Sequence, residues 1–155
     1  MIVNRNTTHE ALHRAGATLV KCVAPGVFDV TPPINVSLLP AFELEVAREE
    51  KLSQLSRSRR AAQELPVTVA GQQFPANSEY REIVSNLVRR KNAGKPIPAI
   101  LRGANGQPAT ITPVPLDQID DAIAASVQAQ WDRFLAKFDA VQAATTVDQV
   151  NAVVW

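Results

Sequence analysis

The chain has 155 residues, of which 46% are hydrophobic and 20% charged, and its formal net charge is +1. That length suits one domain burying roughly 70% of its unfolded surface, and the composition excludes a disordered chain. The near-neutral balance argues against a nucleic-acid binder, which usually carries a strong basic excess, and the single cysteine, Cys22, excludes an internal disulfide.

The opening stretch, Met1 to Asn6, lacks the apolar core of a signal peptide. No run approaches the roughly 20 apolar residues that span a bilayer. The expectation is a soluble protein made in a cytoplasm, with no membrane partner. The 11 prolines and six glycines are scattered rather than periodic, so no collagen-like or solenoid pattern is present.

Residues 1–40 read as irregular. Thr7-Thr8-His9-Glu10-Ala11-Leu12 can cap and start a short helix that Gly16 ends. Leu19 to Val23 and Val27 to Val30 are short strand-type runs parted by Pro25-Gly26, a turn pair. Pro32-Pro33 and Pro40 then punctuate an extended stretch. With so few apolar residues clustered, the segment is expected to be an extended docking arm.

Residues 41–65 are expected to be a charged helix serving as an oligomer contact or a linker. Pro40 suits its start. Glu43, Glu45, Glu49 and Glu50 precede Arg57, Arg59 and Arg60, an order that complements the helix dipole. Its apolar stripe is thin, with Phe42, Val46, Leu52 and Leu55 in line and Leu44 to one side. So polar a helix favours a bundle partner or a coiled coil, and these four residues are candidates for contact with another chain.

Residues 66–155 are expected to form a compact α+β domain. Val67-Thr68-Val69 alternates as a strand, Ala70-Gly71-Gln72 turns, and Gln73-Phe74 returns. Asn77 or Ser78 caps a helix to about Asn92, with Tyr80, Ile83, Val84, Leu87 and Val88 on one face and Ala93-Gly94 as its stop. Pro98 to Arg102 and Ala109 to Thr112 pair through Asn105-Gly106. Pro115-Leu116-Asp117 starts the longest helix, to about Ala144. Leu116, Ile119, Ile123, Val127, Trp131, Phe134, Phe138 and Val141 recur along it at spacings of three and four, as a core stripe. A short helix from Thr145-Thr146-Val147-Asp148 closes the chain at Trp155. The fold class is thus α+β: the arm, the charged helix, and a small domain of short β-hairpins packed with two helices and a short C-terminal one.

Groups that carry chemistry are few. There is no Gly-rich phosphate loop and no cysteine pair with zinc spacing. His9 and His13, four apart, with Cys22 downstream, supply the atoms for a three-ligand metal site, or for a thiol nucleophile with its base. Two solvent-facing histidines and a small buried thiol are the favoured alternative. Asp117, Asp120 and Asp121 are first read as the acids of a helix start rather than as an acid–base pair. Arg81, Arg89, Arg90, Lys91, Lys95 and Arg102 form a basic group with only Tyr80 interleaved. A solvated face, or an ionic rim against an acidic partner, fits better than phosphate binding. Arg89, Arg90 and Lys91 are therefore interaction candidates. Trp155 is expected to plug onto the long helix, beside Val150, Val153 and Val154, or to anchor a neighbour. No catalytic residue, cofactor or metal ligand is assigned, and no enzymatic activity is expected.

The order of these features has a likeness. Residues 66–155 resemble a domain family of unknown function found in tailed-phage tail and tail-fibre proteins. The resemblance is carried by Val67 to Phe74 with Asn77-Ser78, the helix, the hairpin with Asn105-Gly106, the Leu116-Asp117-Gln118-Ile119 helix start, and Ala143 to Val150 running to the closing Trp155. Ile100-Leu101 stands where such domains often carry a Trp. The charged helix before residue 66 is similar to the lead-in common in the family. The resemblance implies a structural component of a bacteriophage tail, at the baseplate or the tail-fibre attachment, or else a tail-fibre assembly chaperone that leaves before maturity. It implies other tail proteins as partners, a homo-oligomer, and residence in the virion after assembly in the host cytoplasm. It brings no catalytic residue.

Overall fold

The computed structural model describes residues 1–4, 7–111 and 114–155. The protein is mixed α+β, as expected, with short hairpins and a long charged helix. It packs as two compact units, Met1–Leu55 with Lys137–Trp155, and Ser56–Ala136. The expected boundaries near residues 40 and 65 are not where the units part. Both partings fall inside long helices, so neither is marked by a proline, a glycine or a change of composition.

The first unit begins with strand β1 (Ile2–Asn4), helix α1 (His9–Arg14), and strands β2 (Leu19–Ala24) and β3 (Val27–Thr31). The strands form one antiparallel sheet in the order β1-β3-β2. Val3 lies opposite Phe28, and Val20 opposite Val30. Thr8 caps α1 through its hydroxyl, and Gly16 ends the helix at φ +99°. Val3, Leu12, Ala17, Phe28, Val30, Ile34 and Leu39 pack into a core. Residues 1–40 are therefore not an extended arm. The signals for α1, β2 and β3 agree with the structure, but β1 was not anticipated, and the core these elements build is not visible in the sequence. Its residues come from β1, α1, β3 and the start of the next helix, as well as from the segments between them, and their meeting is a tertiary contact that no local pattern carries.

Helix α2 (Leu39–Gln63) follows a short 3-10 turn capped by Asn35. It starts one residue before Pro40, whose missing N–H falls in the first turn, where no helical partner exists. In the first unit, Arg14 on α1 reaches Glu49 on α2 at 2.5 Å as well as Glu10 at 3.1 Å. Its guanidinium holds the Glu49 carboxyl below the usual range. Arg48 donates to the carbonyls of Gln142 (3.2 Å) and Ala144 (2.6 Å), at the C-terminal end of helix α4 (Leu116–Ala143). Helix α5 (Val147–Ala152), capped by Thr146, buries Val150 in the same unit.

The second unit holds two hairpins and helix α3 (Ser78–Asn92). Strands β4 (Val67–Val69) and β5 (Gln72–Phe74) are joined by Ala70 and Gly71, both at positive φ. This is the backbone of a two-residue hairpin turn matched to strand twist. Strands β6 (Ile100–Arg102) and β7 (Pro108–Thr110) pair antiparallel. Their connection is longer than the tight turn expected at Asn105-Gly106. It runs from Gly103 to Gln107, closed by the Gly103 N–H donating to the Gln107 carbonyl at 2.7 Å. The expected end of this hairpin at Thr112 lies outside the described residues. Phe74, Tyr80, Val84, Val114, Leu116 and Ile119 are at the centre of the core.

The long stripe on α4 is buried only at its ends. Leu116, Ile119 and Ile123 enter the core of the second unit, and Val141 is buried in the first. Between them Val127, Phe134 and Phe138 are half-buried, and Trp131 is 41% exposed.

Candidate docking surface

Helix α3 ends in a Schellman motif. The Gly94 N–H donates to the Lys91 carbonyl at 2.9 Å, and the Lys95 N–H to the Arg90 carbonyl at 2.9 Å, with Gly94 at φ +66°. Glycine takes that backbone conformation without a Cβ clash. The stop leaves Arg89, Arg90 and Lys91 in the last turn, where their charge meets the negative end of the helix dipole.

Of these cations Lys91 lines an apolar cleft of about 410 Å³, together with Ile97, Pro98, Ala99, Ile111, Pro115 and Leu116. Lys91 forms an ion pair with Asp117, which ties the end of α3 to the start of α4. Arg90 donates to the Pro96 carbonyl at 3.1 Å, a bond that positions the guanidinium without neutralising it. Arg89, Arg90 and Lys95 are exposed. The last turn of α3 thus carries exposed cations, one of which, Lys91, stands at an apolar depression paired with Asp117. Arg102 does not join them; it lines a different groove, beside β6.

The other candidate residues are placed differently. Val46 and Leu55 are buried, and Phe42 and Leu52 are half-buried. Half of the stripe on α2 is therefore taken up by this chain's own packing. Trp155 is half-buried. His9 stacks edge-on against Phe28 at 5.2 Å, and the His13 ring nitrogen Nδ1 contacts the Ala17 carbonyl at 2.7 Å. Cys22, expected to be a buried thiol, is exposed on β2, and its Sγ donates to the Ala24 carbonyl at 3.3 Å. Among the described residues, no three His, Cys, Asp or Glu side chains are grouped to hold a metal ion, and no helix is long and apolar enough to cross a membrane.

Two features escaped the sequence. Arg59 is 8% exposed and stacks over the ring of Trp131 at 3.5 Å. It sits four residues beyond Leu55, so it continues the α2 stripe, a signal masked by its charge. Tyr80, placed in the core by its spacing, also lines a groove of about 540 Å³ together with Ile83 and Ile100. Comparison with protein-family models, with curated proteins and with solved structures finds no match.

Proposed function

We propose that this chain is a structural component of a bacteriophage tail, at the baseplate or the tail-fibre attachment, and that it acts by holding other tail proteins rather than by catalysis. The observation that carries the docking role is the basic last turn of α3, whose Lys91 lines an apolar cleft. A basic helix end beside an apolar cleft suits an acidic segment, drawn by the charge over a distance, with an apolar side chain that the cleft can bury. The tail assignment rests on the feature order of residues 66–155 described above. The histidines and the cysteine engage aromatic and main-chain groups, which suits structural roles for them.

The test is mass spectrometry of gradient-purified phage particles, with peptides of this chain counted against the major tail protein. Several copies per particle are expected. Absence from particles, with abundance in the lysate and copurification with unassembled fibre, replaces the virion role with that of a tail-fibre assembly chaperone. At the docking surface, a triple substitution of Arg89, Arg90 and Lys91 by Gln is expected to leave the fold intact and to weaken incorporation into particles at least tenfold, an effect that rising salt imitates. Undiminished incorporation assigns the contact to another face.

A further inference from the structure

Strand β6 is paired on one side only, with β7, in a two-stranded sheet. Two bonds fix the parity of that ladder: Ile111 N–H to the Ala99 carbonyl at 2.9 Å, and Gly103 N–H to the Gln107 carbonyl at 2.7 Å. Residues 99, 101 and 103 therefore turn their main-chain groups toward β7, and those of Ile100 and Arg102 point away from it. Pro108, opposite Arg102, agrees with this parity, since its missing N–H falls where the ladder needs no donor. Among the described residues, no hydrogen bond takes up the outward main-chain groups of Ile100 and Arg102.

The groove of about 540 Å³ is lined by β6 and by the first turns of α3. Ile83 of α3 is 42% exposed and Ile100 of β6 is 54% exposed, so each wall presents an apolar side chain to solvent. Tyr80, only 6% exposed, has a buried hydroxyl with no hydrogen-bond partner among the described residues. An open strand edge, two apolar walls and a spare donor suit an extended peptide: the edge supplies main-chain bonds, and the groove accepts every second side chain. Among the described residues Arg102 is the sole cation lining the groove, and Glu79 lines it from α3. This charge pattern favours an occupant with an acid toward Arg102 and none toward Glu79. An edge of three residues ending in a charge is too short to pair indiscriminately, so selectivity falls to the groove.

We propose that β6 and the first turns of α3 receive an extended segment of a partner protein, which adds as a strand to the β6 edge, seats an apolar side chain between Ile83 and Ile100, and sets an acidic side chain beside Arg102. This contact is separate from the basic end of α3 and does not depend on the tail assignment.

The test starts by selecting a displayed library of random short peptides on the full-length chain. Enriched peptides are then synthesised and titrated into isotope-labelled protein. Enriched sequences are expected to alternate apolar and polar residues around a recurrent acid. The amide resonances of Ile100 and Arg102 are expected to shift, and their exchange with solvent to slow about tenfold as they gain bonds. N-methylation of the peptide weakens binding about fivefold to tenfold at residues of one parity and hardly at the other, because alternate residues face the edge. This readout leaves the protein unaltered. Arg102→Ala removes the selection for the acid while peptides still bind. The proposal is overturned by no enrichment beyond that on an unrelated protein, by binding indifferent to N-methylation at both parities, or by shifts confined to the basic end of α3.

Discussion

Tyr80 is the side chain whose surroundings make the sharpest demand. Burial without a hydrogen-bond partner disfavours the charged phenolate, and desolvation pushes its pKa from the ordinary 10 up to about 12. It is the one tyrosine of the chain, so absorbance near 295 nm reads it alone. The expected ionisation midpoint is near 12; a midpoint near 10 would show the hydroxyl open to water. The sign for stability follows. An unfolded tyrosine loses its proton at a lower pH than the folded one, so Tyr80's contribution is full below pH 10 and is lost as pH rises through about 12. Tyr80→Phe removes that loss, and the difference in stability between the two proteins isolates it from the lysines. At neutral pH the variant is expected to be as stable as the parent, or up to about 1 kcal/mol more so in urea, because it deletes an unsatisfied buried hydroxyl. A drop beyond that would reveal a bond to the hydroxyl. The helical spacing of Tyr80 with Val84 is enough to predict that it is buried. The missing bond was not legible, because it depends on what the β6 hairpin brings near, about 20 residues downstream.

At the scale of elements, caps and stops were the most legible features. Thr8, Asn77 and Thr146 cap α1, α3 and α5, and Gly16 and Gly94 end the first two. These signals are local in sequence and so survive without tertiary context. Stripes were less reliable. The α4 stripe has regular spacing throughout, yet Trp131 is left partly open, with Arg59 stacked on it. Periodicity says which face is apolar, not what covers it. The Nε and Nη1 of Arg59 are buried without acceptors among the described residues, so its value to the fold lies in its aliphatic stem and in the ring stack. Arg59→Met keeps the stem and removes the unsatisfied donors. It is expected to stay within about 1 kcal/mol of the parent, whereas Arg59→Ala loses the stem packing and costs about 2 kcal/mol. Equal losses for Met and Ala, measured by urea denaturation, would mean that the charge itself is what the site holds.

For the whole molecule, the sequence suggested a C-terminal domain able to stand alone from residue 66 onward, and the packing divides the chain otherwise. Residues Lys137–Trp155 belong to a unit with Met1–Leu55. In that unit Arg48 reaches the carbonyls of Gln142 and Ala144, and Lys51 that of Asn151. Val46, Ala47 and Glu50 share one cleft with Val147 and Asn151. No local signal marks such closure of one end of a chain on the other, since its contacts are separated by about 95 residues. Long-range contacts are what composition and periodicity leave undetermined. A chain cut after Ala136 tests the division. It takes Val141, Ala144 and Val150, all buried, out of the first unit. Burial of a valine contributes roughly 1.5 kcal/mol or more, so the combined loss is a large part of the 5–15 kcal/mol that holds a typical domain. The amides of Leu12 and Val30, central in the first core, are expected to lose most of their protection from hydrogen exchange. Those of Val84 and Leu101, in the core of the second unit, are expected to keep theirs. If all four lose protection together, the chain unfolds as one cooperative body. If Leu12 and Val30 stay protected, residues 1–55 hold their core without the C-terminal helix, and the closure serves something other than stability.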